Sequence, residues 1–278
     1  MRGKIKHGIA ALFLAVCAPG AAAPAFCASQ ARRPSVVLVI LDSVRADRTS
    51  PYGYRKAATP ALGALADQAF VYENAYSKAN WTGASFASIL TGRLPFSHGL
   101  IGRYDALPED SRTIQSVLAG NGYETAGFFN SLTGDEYYGL ARGFGNVFPV
   151  KAGTPFSSQV PAAVDWVKTL APEKDFFILL HGNDAHYPYN YGSTGPVKTD
   201  KFPELSWEFI KYYNGFAAEM LSRYDHLKWK EAVALKGNPA FLSAVSDAYD
   251  QGVAREDEDF SSLLRGIEAG SYRPLLVI

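Results

Sequence analysis

The sequence is short of thiols. Of its 278 residues only Cys17 and Cys27 are cysteine, and both lie ahead of the first segment with fold-forming character. A mature protein without thiol or disulfide is expected, which excludes cysteine nucleophiles and cysteine-held metals. Histidine is scarce as well: His7, His98, His181, His186 and His226 are the whole supply. Neither sign of charge is in excess, since 27 basic residues stand against 27 acidic ones. The basic footprint required for nucleic-acid binding is therefore missing. Charge blocks, low-complexity tracts and internal repeats are also absent, which argues against solenoids and disordered arrays. The apolar run from Gly8 to about Val16 falls short of the ~20 residues that a membrane span takes, so no stable span is expected.

What is present is enough hydrophobic residue, 47% of the chain, for one large core. Arg2, Lys4 and Lys6 form a basic start, the short apolar run follows, and small residues continue to Ala28. That is the layout of a secretory signal peptide over residues 1–28, and it implies a periplasmic or secreted protein. Cutting near Ala28 removes three basic residues and no acidic one, leaving a small negative excess. No domain boundary is evident afterwards, so residues 35–278 are read as one domain.

Along that domain, strand and helix signals alternate. Ser35–Leu41 (SVVLVIL) and Asp175–His181 (DFFILLH) are continuous apolar runs, the mark of strands buried on both faces. Phe70–Ala75, Glu124–Phe129 and Arg273–Ile278 are expected as further strands, the last of them buried. Helices are expected from Pro60 to about Ala69 with Thr59 as N-cap, over Ala84–Leu90, Thr113–Ala119 and Ser158–Leu170, and from about Ala240 to Ala269. This order predicts an α/β fold, a mostly parallel sheet flanked by helices. The long loops Ser131–Thr154 and Tyr187–Pro203 are expected to carry function.

Three places hold candidate chemistry. Asp42 follows the first strand directly, where open parallel sheets bind ligands, and could hold a hard cation or simply close a turn. Thr82, in Asn80-Trp81-Thr82-Gly83, sits just before a helix. Exposed amides there could activate its hydroxyl, or it could be an ordinary N-cap. His181, Asp184 and His186 end the second apolar strand and could supply a general acid or a substrate clamp, or be surface polar residues.

Taken together these segments carry more. LVILDSVRADRTSPYGY, TPALGALADQAFVYENAYS and NWTGASFASILTGRLPFSHG closely resemble the opening of sulfatases and their relatives in the alkaline-phosphatase superfamily. The later SRTIQSVLAGNGYETAGFF, GLARGFGNVFP and FFILLHGNDAHYPY continue the resemblance. It implies an alkaline-phosphatase-like fold and a metal-dependent hydrolase or transferase of sulfate or phosphate esters. The substrate would be a small molecule, a lipid or a glycan, and the divalent ion calcium, zinc or manganese. Residue by residue, the resemblance makes Asp42 a metal ligand, Thr82 both nucleophile and metal ligand, and His186 the catalytic group facing the leaving group. It implies a structural role for His98 and a loop-orienting one for Asp184.

Departures from the family pattern shape these expectations. Ser43 stands where many relatives have a second aspartate. The signature C/S-x-P/A-x-R reads Thr82-Gly83-Ala84-Ser85-Phe86. Threonine is not the residue matured to formylglycine, and Phe86 replaces the signature arginine. Threonine nucleophiles resemble the phosphoryl- and phosphonyl-transfer branches instead. Relatives also continue, after a strand like RPLLVI, with a segment like TSDHGE that completes the metal site, and Ile278 is the last residue here. The expectation is thus a catalytic domain incomplete at its C-terminal end, weakly active at best. The alternative is a fragment or pseudoenzyme that retains only the fold.

Overall fold

A computed structural model describes residues 33–56, 59–130, 134, 136–150, 154–186, 197–199, 202–205, 239–270, 272 and 274–278. The signal segment, Cys17, Cys27, His7, His226, Arg273 and most of the Tyr187–Pro203 loop lie outside the described residues.

In chain order the elements are β1 (Val36–Leu41), α1 (Pro60–Ala66), α2 (Thr82–Thr91), α3 (Pro95–His98), α4 (Ile114–Gly120), β2 (Glu124–Asn130) and β3 (Asn146–Val150). Then come α5 (Gln159–Lys168), β4 (Phe176–Gly182), β5 (Val197–Thr199), β6 (Phe202–Leu205), α6 (Pro239–Ala269) and β7 (Leu275–Val277). Five strands form one sheet in the order β3-β2-β4-β1-β7, with every pairing parallel. β5 and β6 make a separate antiparallel pair. The sheet and its flanking helices form the expected α/β architecture.

The apolar runs explain the sheet's centre. β4 is buried at every residue, between β2 and β1. Its alternate side chains feed two cores. Phe176, Ile178 and Leu180 pack with Val160, Val164, Phe260 and Leu263 from α5 and α6. Phe177 and Leu179 pack on the other face with Phe86 and Leu90 of α2. β1 ends at Leu41 beside Gly182, and the Asp42 amide donates to the Gly182 carbonyl at 2.9 Å. The carboxyl ends of the two strands thus finish side by side.

Several expectations are corrected. Phe70–Ala75 is not a strand: it pairs with no strand among the described residues, and Phe70 is 96% exposed. β7 is an edge strand rather than a buried one, with Leu275 56% exposed and β1 its one partner in the sheet. Thr59 does not cap α1; its hydroxyl oxygen accepts from the Ser50 amide at 2.7 Å. The cap comes from a distant element instead. Asp257 of α6 accepts from the amides of Ala61 and Leu62 at 2.8 and 2.9 Å, satisfying two donors that a helix start leaves unpaired. α4 begins one residue later than expected, and Thr113, read as its first residue, is its N-cap: Thr113 and Ser116 form a reciprocal capping box.

Candidate active site

The site begins with the backbone that turns away from β1. Ser43 adopts φ +65°, the left-handed conformation that non-glycine residues rarely take. Two interactions hold it there. Its hydroxyl donates to Asp42 Oδ1 at 3.0 Å. Its carbonyl accepts from the Tyr249 hydroxyl at 2.8 Å, while the same Tyr249 oxygen accepts from the Arg45 amide at 2.8 Å. The strained turn directs the Asp42 carboxylate across the end of the sheet.

Thr82 meets it there. It is the first residue of α2, and its hydroxyl donates to Asp42 Oδ2 at 2.9 Å. The preceding Trp81 lays its indole over Gly83, where a Cβ would come within 2.5 Å of the ring, so only glycine fits. That close approach fixes how the helix start is presented.

His181 is the third participant. Its Nε2 lies 3.3 Å from the same Asp42 oxygen. An ionised carboxylate only accepts, so the proton of this bond belongs to His181. The imidazole is itself braced: Gln159 donates from Nε2 to the His181 carbonyl at 2.8 Å, and Phe86 packs on the ring with centroids 4.6 Å apart. Burial works against the charge on Asp42. The hydrogen bonds from His181 and Thr82 and the fields of His181 and His186 outweigh it and hold the carboxyl below its usual range. Asp42 is therefore anionic at neutral pH.

The structure brings Asp42 and Thr82 into direct contact and sets His186 close enough to act on Asp42 electrostatically. The His186 amide closes the turn after β4 by donating to the Asn183 carbonyl at 3.2 Å. His98 is elsewhere. It is buried, with Nδ1 accepting from the Leu100 amide at 3.2 Å and Nε2 against Ser88 Oγ at 3.1 Å, and burial lowers its pKa. Asp184 is buried beneath the turn, and its Oδ2 accepts from the Phe156 amide at 2.9 Å. The direct His181 contact with Asp42 was not assigned from sequence. The one signal in the sequence is that His181 ends an apolar strand as Asp42 follows one; the register that sets His181 beside Ile40 is a feature of the structure.

The donors can be tested against a divalent ion. Thr82 Oγ1 and Asp42 Oδ2 stand side by side at a hydrogen-bond separation of 2.9 Å. Both are oxygens, one is anionic, and they suit a hard or borderline cation on one edge. Among the described residues no group of three His, Cys, Asp or Glu side chains could hold a metal ion by itself.

Comparison with known proteins agrees with this architecture. The sulfatase family model matches residues 34–278. An arylsulfatase of Clostridium perfringens is 31% identical over 157 residues, covering 51% of this chain and 31% of that protein. Among solved structures, a 2-O GAG sulfatase superposes with a TM-score of 0.59 at 18% identity, over 85% of this chain and 54% of that one. The phosphonate monoester hydrolase of Agrobacterium radiobacter gives 0.61 at 13% identity, over 86% of this chain and 60% of that one. The chain thus spans about a third of the curated relative and somewhat over half of the solved structures.

Proposed function

This chain belongs to the sulfatase family of the alkaline-phosphatase superfamily, and from that premise we propose a metal-dependent hydrolase or transferase of sulfate or phosphate esters, with Thr82 as its nucleophile. The observation that carries the proposal is the Thr82–Asp42 pair at the start of α2. The hydroxyl proton is directed at an anionic carboxylate, which leaves the oxygen lone pairs for attack. The first amides of the helix have no intrahelical acceptor and favour an anionic group beside Thr82.

Asp42 and Thr82 would hold the divalent ion, calcium, zinc or manganese. When bound, it would lower the hydroxyl pKa and offset the charge of the ester. In the reaction, the Thr82 hydroxyl proton leaves by way of Asp42 Oδ2 to solvent as Thr82 Oγ1 forms a bond to phosphorus or sulfur and the bond to the ester oxygen breaks. His186 gives a proton to that departing oxygen. Water, or an acceptor alcohol in a transferase, then displaces Thr82 from the covalent intermediate and gives its proton to His186, and Thr82 Oγ1 regains a proton from solvent by way of Asp42. His181 keeps the Asp42 carboxylate oriented.

Phosphate rather than sulfate is favoured by Thr82 itself, which stands where sulfatases carry the residue matured to formylglycine, and by the loss of the arginine that goes with that maturation. Phe86, in place of the signature arginine, is buried against His181 and brings no cation to the site. The test is a panel of aryl phosphate, bis-aryl phosphodiester and aryl sulfate, offered to the full-length protein with added zinc, manganese or calcium. Metal-dependent turnover of a phosphoester is expected. Turnover of the sulfate alone would overturn the weight given to Thr82 and Phe86. A folded protein inert toward all three would favour the non-catalytic alternative.

Residues 1–28 are proposed as an export signal, and residues 35–278 as one sulfatase-like domain. No helix among the described residues is long and apolar enough to cross a membrane. Mass spectrometry of the protein from an expressing bacterium should find a new N-terminus between Ala21 and Gln30. Met1 retained on soluble cytosolic protein would refute export.

A further inference from the structure

We propose that Glu256 is a positioning residue, which fixes the Asn183–His186 turn from below and so sets where His186 stands relative to Asp42. The proposal rests on the reading of His186 given above, and it concerns a helix that the reaction itself does not use.

α6 runs beneath both loops of the site. Tyr249, Gly252, Val253 and Glu256 fall on one of its faces by helical spacing. Tyr249 grips the Ser43 turn through its hydroxyl. Val253 packs with Ala185, Tyr249 and Val44, touching both loops. At Gly252 the helix comes so near the second loop that a Cβ would lie 2.6 Å from the Asp184 carbonyl oxygen and 3.0 Å from Ala185 Cα. One turn further on, Glu256 Oε1 accepts from the Asp184 amide at 2.6 Å, and the Ala185 amide is a second donor to the same side chain.

Glu256 is 0% exposed. A carboxyl in such a place costs free energy unless its hydrogen bonds replace those of water, and a leucine would fill the space more favourably. The bonds it makes are to amides of a turn that has left the sheet, where no strand partner is available. Its environment also disfavours its charge. Burial first, and the field of the neighbouring Asp184 second, push Glu256 well above the usual carboxylate range, and Asp42 acts in the same direction. Asp184 is raised by burial as well, and Asp259 nearby is pushed up to about 6 by burial and by Asp184. Asp184 Oδ1 and Glu256 Oε2 are both buried with no hydrogen-bond partner among the described residues. Glu256 thus serves as the acceptor that holds the turn, and glutamine, which keeps an acceptor oxygen in the same place, should reproduce that role.

The test compares wild type, E256Q, E256L and G252A in the full-length protein. The primary reading is the imidazole NMR signals of His186, assigned from their loss in His186→Gln. E256L should shift or broaden them and lower kcat by about a hundredfold, the cost of an ångström-scale misplacement. E256Q should restore signals and kcat to near wild type. G252A keeps the carboxyl but displaces the turn, so it should move the His186 signals too. Unchanged His186 signals in folded E256L or folded G252A would overturn the proposal. Should both variants fail to fold, wild-type hydrogen exchange decides: the Asp184 and Ala185 amides should be strongly protected, and rapid exchange of both would overturn it. If wild type turns over no ester, the functional reading fails, while the NMR and exchange results still judge the role of Glu256.

Discussion

Replacing Thr82 by alanine is expected to lower phosphoester turnover by a factor of about 10³ or more, because the covalent route loses its nucleophile. The fold should notice little. Thr82 is half-buried at a helix start, and the substitution removes one hydrogen bond to the charged Asp42, worth about 1.5 kcal/mol or somewhat more. A small shift in the urea midpoint should therefore accompany a large loss of rate. Thr82→Ser keeps a hydroxyl in the same place and should retain measurable turnover, which separates loss of the oxygen from disturbance of the helix. The variant also bears on the metal. With Thr82 gone, only Asp42 is left of the two proposed ligands, so the metal concentration needed for half-maximal binding should rise. Wild-type turnover by Thr82→Ala would end the nucleophile assignment. Loss of turnover without any change in metal binding would instead restrict Thr82 to the chemical step.

The distinction between legible and illegible parts of this protein follows sequence distance. β1, β4 and α2 could be read because each carries its own signal: a continuous apolar run, or a helix bounded by Trp81-Thr82 and Gly92. β3 could not. It is short, contains Pro149 and lies at the edge of the sheet, where a missing amide is tolerated. Phe70–Ala75 misled in the opposite way, since its β-prone aromatics suggest a strand that finds no partner among the described residues. For the site, Asp42 and Thr82 could be named because each follows or opens an element at the functional edge. The contributions of α6 were hidden. The run Arg255-Glu256-Asp257-Glu258-Asp259 has the composition of a solvated face, yet Glu256 and Asp257 are buried and bond to backbone far away in sequence. Asp257 replaces the cap that Thr59 was expected to supply. Nothing local to either segment announces that exchange, because it depends on where α6 crosses the sheet.

The same reasoning predicts that the signature arginine cannot simply be put back. Phe86 is only 2% exposed and belongs to the core that includes Leu90, Phe177 and Leu179. Its ring also lies against His181, which in turn bonds to Asp42. Phe86→Arg would bury a guanidinium among apolar side chains. Burial of an unpaired charge belongs to the few mechanisms that cost more than about 4 kcal/mol. Since a domain's whole stability is typically ~5–15 kcal/mol, the variant should be largely unfolded or melt far below wild type. Phe86→Leu offers the control. It keeps the site apolar and should cost much less, about 1–2 kcal/mol, while removing the ring from His181. Circular dichroism melts of the two variants against wild type provide the measurement. A Phe86→Arg protein as stable as wild type would mean that position 86 reaches the Asp42 edge with its charge solvated or paired. Phe86 would then be a substitution in the binding site rather than part of the core, and the argument it lends to phosphate over sulfate would be lost.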